Sequence, residues 1–413
     1  MTQITLEQFF HVIKPSGPPS RPTLLSYSAY IEINNCPRRW WLHNAHYSNL
    51  GEDAYPDMPK LPAIKGNITH SVLKRVAREA KELLGTQMTW VPAVVEALKK
   101  MGGYSETIRK CAGQELDRVE QNPRGSIVVA YITKGIEESI SQIRIDVQHS
   151  ISRLPHSAYA PHNDAGVSGS RERRALGYGT FMEVDLLSKE LGMRGFIDLL
   201  WRDQDRCQIL DYKTGAPNSN HRDQLELYAV LWWHDVERNP SHSMATGLTL
   251  LYPNLREDLQ PPSKKRLIEI TECWRERKAD AFQAVTESLP LALPSTEKCS
   301  TCPVRQLCDE YWLSVLNRSP ACAQGETEFT DAEVLVKRRH GPTSWEIEII
   351  RCPRSSIAGK VILRDNAEHS VFSCLFQPGR VLRLLGVRVG EPVEEGDIQV
   401  LYLSSFSEAF VIS

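Results

Sequence analysis

A chain of 413 residues is longer than one ordinary hydrophobic core needs, so two or three domains are expected. It is 41% hydrophobic and 24% charged with a formal charge of −2, an ordinary globular composition that excludes a polycationic coat for nucleic acid and requires any such partner to be held by a local groove. The opening MTQITLEQFFHVIKPSGPPS has no basic segment followed by an apolar run, and no stretch approaches about 18 uninterrupted apolar residues, so the sequence predicts no signal peptide, no membrane contact and a cytoplasmic protein.

In that compartment the ten cysteines stay reduced unless they bind metal. No Gly-x-x-x-x-Gly-Lys-Ser/Thr loop is present, which argues against nucleotide hydrolysis by the chain itself.

Residues 1–23 read as an N-terminal arm, extended and rich in Pro, Ser and Gly over 13–23. LLSYSAYIEINNCPRRWWL then leads into a short aromatic helix. After three prolines, GNITHSVLKRVAREAKELL opens at a Gly-Asn cap and carries Ile68, Val72, Leu73, Val76, Ala80 and Leu83 at helical spacing. The helical lobe so begun covers about 66–152, broken near Gly102-Gly103 and at Asn122-Pro123-Arg124-Gly125. Residues 155–180 have the composition of a mobile loop.

A sheet is expected over about 180–255: three strands with two turns from Phe181 to Lys213, the helix DQLELYAVLWWHDVE, and the buried strand TGLTLLYP. A polar helix follows over roughly 264–288, then a cysteine run at 299–308. A boundary near 320–328 separates this first domain, 24–322, from a β-rich domain at 326–413.

The chemistry centres on DYKTG at 211–215. Residues i and i+2 of a strand share a face, so Asp211 and Lys213 stand side by side; taken alone, such a pair is also what an exposed strand edge carries. Asp198 in GFIDLLW precedes Asp211 by thirteen residues, and a hairpin turning about Gln204-Asp205 sets the two opposite each other. The same arithmetic about Glu190-Leu191 sets Glu183 opposite Asp198. Carboxylates facing one another across a sheet destabilise it unless a cation or a proton intervenes, and hard oxygen ligands suit magnesium or manganese. Metal-assisted hydrolysis of a phosphodiester fits this row, with Lys213 orienting or deprotonating water or neutralising the phosphorane.

Glu183, GFIDLLW, DYKTG and DQLELYA resemble the PD-(D/E)xK nuclease superfamily, in the RecB-like branch that includes CRISPR spacer-acquisition nucleases and the nuclease domains of AddAB-type helicase complexes. The resemblance implies a restriction-endonuclease-like mixed α/β sheet with a helical lobe. It implies Asp198 and Asp211 as metal ligands and Lys213 as the catalytic lysine. Gln224 and Tyr228 match the branch's Gln-x-x-x-Tyr helix beside the active site, a spacing that ordinary helix packing also produces. His70 in GNITHSVLK matches the upstream Gly-x-x-x-His helix, whose histidine is a further metal ligand. Lys74 stands where the branch often has an acid.

KCSTCPVRQLC supplies Cys299, Cys302 and Cys308, one thiolate short of a tetrahedral or cubane site. Cys36 in NNCPRRWWL is the candidate fourth, 263 residues earlier. A subset of the branch holds a [4Fe–4S] cluster with one early and three late cysteines, and SYSAYIEINNCPRR resembles its N-terminal signature; the alternative is a structural zinc, for which two close pairs are the usual pattern. Cys111, Cys207, Cys273, Cys322, Cys352 and Cys374 read as buried thiols.

The last domain has short strands between Gly and Pro turns, as in a small all-β barrel such as an OB-fold. From Glu326 onward it holds ten Lys and Arg against thirteen Asp and Glu with few aromatics, so protein binding suits it as well as DNA binding. Arg38-Arg39 and the RERR run at 171–174 are candidate phosphate contacts, or plain solvated surface.

The sequence thus predicts a Mg/Mn-dependent deoxyribonuclease, exonuclease rather than endonuclease. It would act on single-stranded DNA or DNA ends in repair or mobile-element defence, beside a helicase or defence-complex partner. The rivals are a non-catalytic DNA-clamp or scaffold subunit and a zinc-bound nucleic-acid module.

Overall fold

The computed structural model describes residues 9–48, 50, 54–84, 90–152, 173–315, 329–353, 357, 360–365, 372–390 and 398–412. Expectations for the proposed boundary at 320–328, most of the 155–180 loop, Arg171 and Cys322 lie outside the described residues.

α1 (Tyr27–Asn35) and α2 (Pro37–Asn44) pack into the same core as the helices that follow the catalytic strands, and a separate helical lobe is formed by α3 (Leu61–Leu84), α4 (Trp90–Lys100), α5 (Gly103–Gln121) and α6 (Gly125–Ser152). The single aromatic helix expected around Cys36 is two. Cys36 is extended (φ −165°), because Pro37 disfavours helical backbone in the residue before it, and Pro37 then opens α2.

The expected Gly-Asn cap is also corrected: α3 begins at Leu61, with Pro62 in its first turn, and Gly66 lies inside it. A Cβ on Gly66 would stand 2.9 Å from Thr214 Oγ1, so the glycine serves the close passage of α3 against the DYKTG turn.

The first sheet contains β1 (Leu25–Ser26), β2 (Gly179–Ser188), β3 (Met193–Arg202), β4 (Cys207–Tyr212), β5 (Gly247–Leu251) and β6 (Arg256–Leu259). β2 runs antiparallel along the length of β3, and β3 also pairs parallel with β1 and antiparallel with β4. α7 (Ser219–His234) crosses over between the parallel strands β4 and β5, and α8 (Lys264–Ala284) follows β6. This is the mixed α/β sheet expected, with β1 and β6 added; each is too short to show a period-2 pattern.

The two sheet faces are covered differently. Leu199, Trp201, Leu210, Tyr212 and Leu251 pack into the core of α3 to α6, whereas Ile197, Leu200, Ile209, Leu248 and Leu250 pack with the apolar face of α7.

Contact between β3 and α7 is close enough to specify glycine. A Cβ on Gly195 would meet Tyr228 Cε1 at 2.6 Å and Leu231 Cδ1 at 3.1 Å. Gly195→Val is expected to lower stability by about 1–3 kcal/mol through overpacking and to displace Tyr228, giving a lower melting temperature together with slower turnover. Unchanged melting would contradict this packing.

The C-terminal strands are β7 (Phe329–Gly341), β8 (Ser344–Arg351), β9 (Lys360–Asp365), β10 (Val381–Val389), β11 (Ile398–Leu403) and β12 (Glu408–Ile412). Their order is β11-β9-β8-β7-β10-β12, and a further β10–β11 pairing closes five of them into a barrel-like sheet with one parallel contact, β9–β11.

This unit does not stand apart. Phe9 and Phe10 of the N-terminal arm are buried, Phe10 against Phe372 and Phe410, and His11 bridges Val411. Arg124, 1% exposed, forks onto Glu408 of β12 (Nε–Oε1 2.8 Å, Nη2–Oε2 2.5 Å) and donates through Nη1 to the carbonyls of Pro303 and Pro56. Arg305 pairs with Asp331 at 2.6 Å, and Arg383 donates to the Gln306 carbonyl, so the stretch between Cys302 and Cys308 is tied to β7 and β10.

Candidate active site

The turn Asp203–Arg206 joins β3 to β4. Asp203 Oδ1 accepts the amides of Asp205 and Arg206, and Asp203 N donates to Arg206 O. This local chemistry fixes the register Leu199↔Leu210 through Arg202↔Cys207. One step beyond it, Asp198 and Asp211 stand across from each other, and Asp198 Oδ2 accepts the Tyr212 amide at 2.6 Å.

Glu183 occupies the corresponding step on β2, between the pairs Met182↔Leu199 and Val184↔Ile197, but its backbone is left-handed (φ 48°). The ladder pair expected there is therefore interrupted. The face of β2 changes with it: Met182 packs toward the helical lobe and Val184 toward α7, although an i, i+2 pair of a regular strand shares one face. Glu183 pairs with Lys74 of α3.

Asp211 is 4% exposed, and its carboxyl is pushed up to about 7, by burial first and by the Asp198 charge second, against the pull of Lys213 and His70. Lys213 Nζ lies 2.6 Å from Asp211 Oδ2. This close ion pair is the charge that works against the rise. Lys213 Nζ also donates to Gln224 Oε1 at 2.7 Å, and Gln224 Nε2 donates to Tyr228 OH at 2.8 Å.

His70 Nδ1 stands 3.6 Å from Asp198 Oδ1. Burial opposes its protonation, but Asp198 and then Asp211 outweigh burial and raise its pKa. Thus α3, β3, β4 and α7 bring His70, Asp198, Asp211, Lys213, Gln224 and Tyr228 together, with Glu183 at the rim on Lys74.

The reading from sequence missed His221, in the first turn of α7. Its Nδ1 is 3.0 Å from Tyr252 OH and its Nε2 is 2.9 Å from Asn218 Nδ2; burial and the Lys213 charge lower its pKa. A histidine three residues before Gln224 was the available signal.

Among the described residues, no three His, Cys, Asp or Glu form a ready-made metal cage. The carboxylates are neutralised from within, by Lys213, Lys74 and His70. The donor set nonetheless fits a hard divalent cation: two facing carboxylates beside a histidine, with one acid driven toward neutrality by burial and by the charge of the other.

Cys36, Cys299, Cys302 and Cys308 share one neighbourhood, in which the Cys36 charge acts on Cys299 and Cys308, and Arg39 and Arg38 act on Cys302 and Cys308. Burial raises the pKa of all three late thiols, and Leu293 N donates to Cys36 Sγ at 3.5 Å. They too are not closed into a cage. Of the remaining described cysteines, Cys111 and Cys207 are buried as expected, whereas Cys273 and Cys352 are half-buried and Cys374 is exposed.

Of the basic runs, Arg38, Arg39 and Arg173 engage the fold. Arg38 Nε donates to Pro290 O at 2.6 Å, Arg39 pairs with Glu32 at 3.5 Å, and Arg173 joins Asp185, Asp235 and Glu237.

The family model of the PD-(D/E)XK nuclease superfamily matches residues 24–309, more than half of the chain. The chain belongs to that superfamily. Membership brings with it nuclease chemistry, DNA as the bound polymer and a divalent metal as the usual cofactor. No curated protein matches. The crystal structure of SSO0001 is similar over 47% of this chain and 79% of its own, at 15% identity and a TM-score of 0.23, a likeness too slight to carry weight. Among the described residues, no helix is long and apolar enough to cross a membrane.

Proposed function

We propose that this member of the superfamily is a RecB-like, Mg2+- or Mn2+-dependent deoxyribonuclease. Its preferred substrate is single-stranded DNA or DNA ends, and it acts in repair or mobile-element defence beside a helicase or defence-complex partner. The observation that supports this reading best is the convergence of Asp198, Asp211 and Lys213 at the end of β4, with His70 on one side and Gln224 and Tyr228 on the other.

In this reading Asp198, Asp211 and His70 hold the divalent cation, which polarises the phosphoryl oxygen and activates a water when bound. Gln224, anchored by Tyr228, fixes the Lys213 ammonium. Lys213 then orients the attacking water or offsets charge that develops on the phosphorane. The rim acid Glu183 is held back by Lys74.

Cys36, Cys299, Cys302 and Cys308 are proposed to carry a [4Fe–4S] cluster of mainly structural role, supported by the early-plus-late cysteine pattern and the Leu293 amide on Cys36 Sγ. The barrel is proposed to be OB-like; its support is the closure of five strands.

The test is cleavage by anaerobically purified protein, in magnesium and in manganese, of single-stranded and duplex DNA and of RNA, labelled separately at each end. Loss of label from one end of single-stranded DNA is expected. Intact DNA under all conditions, with a folded protein, would overturn the proposal in favour of a scaffold.

A further inference from the structure

Of the two ammonium groups at the carboxylate row, only one is free to move. Lys213 is 16% exposed and lies between Asp211 and Gln224 at 2.6 and 2.7 Å. Lys74 is different. It sits one helical turn after His70 on α3, and its side chain and that of its partner Glu183 are each 47% exposed. An ion pair so solvated contributes little to the fold and exchanges readily. Its acid is at the same time the register neighbour of Asp198, held out by a left-handed backbone.

We propose that Lys74 is a substrate-positioning residue whose ammonium leaves Glu183 for a backbone phosphate of the bound strand when the divalent cation draws on that carboxylate. The inference rests on the metal-dependent nuclease reading above. Charge requires the exchange. A cation held by Asp198, Asp211 and His70 would add positive charge next to the register neighbour that Lys74 pairs with. A polyanionic strand entering the site would offer that ammonium another partner, and the Glu183 carboxylate would be released to contribute to the cation's charge balance. Metal and strand therefore bind cooperatively, and Lys74 is the coupling element.

The experiment compares wild type, Lys74→Met and Lys74→Arg. Mn2+ affinity is read by electron paramagnetic resonance without DNA. Affinity for a labelled single-stranded oligonucleotide is read by fluorescence anisotropy across a salt series, in calcium and in EDTA. Removing the competing cation is expected to tighten Mn2+ binding about 3- to 10-fold in Lys74→Met. In calcium, the same variant loses one phosphate contact, so its slope of log affinity on log salt falls by about 0.7. Lys74→Arg keeps the wild-type slope, and in EDTA all three proteins share one slope.

An unchanged slope in calcium, or unchanged Mn2+ affinity, in a Lys74→Met protein that melts like wild type overturns the inference alone. Mn2+ binding that is absent in wild type, or equal in wild type and Asp211→Asn, overturns the metal reading beneath it.

Discussion

Asp211→Asn is expected to give a protein that is more stable without metal and unable to cleave DNA. Asp211 is nearly buried and faces the charge of Asp198. Its carboxyl is pushed up to about 7 from an ordinary carboxylate value, so the metal-free fold holds a proton that the unfolded chain has released. Below the usual carboxylate range both states are protonated, and above about 7 both are ionised. Between these limits the native state binds more protons, so metal-free stability falls as pH rises toward 7.

An amide removes that penalty. The gain is on the order of 1 kcal/mol, limited by the loss of the Lys213 partnership. Cleavage falls by about 10²–10⁴-fold, as when a group acting in the transition state is removed. Metal binding runs the same linkage in reverse, releasing a proton and strengthening with pH through about 7. Thermal melts with and without magnesium at several pH values check these statements. A structural role for Asp211 predicts the opposite, a less stable Asn variant.

The second large effect lies far from the site. Arg124→Met leaves Glu408 charged, 3% exposed and without its partner. Breaking one side of a buried pair costs about 3–5 kcal/mol, and the pair here also anchors Pro56 and Pro303. The variant should unfold well below wild type in melting or denaturant titration. Arg124→Met combined with Glu408→Leu should recover much of the loss, because an apolar pair of similar volume needs no charge desolvation. A double variant as unstable as the single one would show that the proline carbonyls, rather than the ion pair, carry the effect. Since Arg124 joins the helical lobe, the segment after Cys302 and β12, the same loss would reveal that the C-terminal barrel shares the stability of the nuclease fold.

The β3–β4 register was legible because its turn is written in the sequence: Asp203 and its neighbours build the turn locally, and counting outward from it brings Asp198 to Asp211. The Gln224–Tyr228 contact was legible because a helix places i and i+4 together. Glu183 was not, since nothing local announces a left-handed residue inside an alternating strand. The start of α3 was missed because Gly66 looks like a cap, when tertiary contact with Thr214 is what demands glycine there. Arg124 was hidden in Asn-Pro-Arg-Gly, a loop composition; its partner is 284 residues away, and only long-range packing reveals it. The parallel β9–β11 pairing within the barrel is likewise non-local.

The central claim is that the carboxylate row and Lys213 hydrolyse DNA. It is tested most directly by the single-turnover rate of cleavage of a single-stranded oligonucleotide as a function of magnesium, for wild type, Asp211→Asn and Lys213→Met. Saturable magnesium-dependent cleavage in wild type, with a rate lower by about 10²-fold or more in both folded variants, is the predicted result. Cleavage that persists in either variant, or needs no divalent metal, would contradict it.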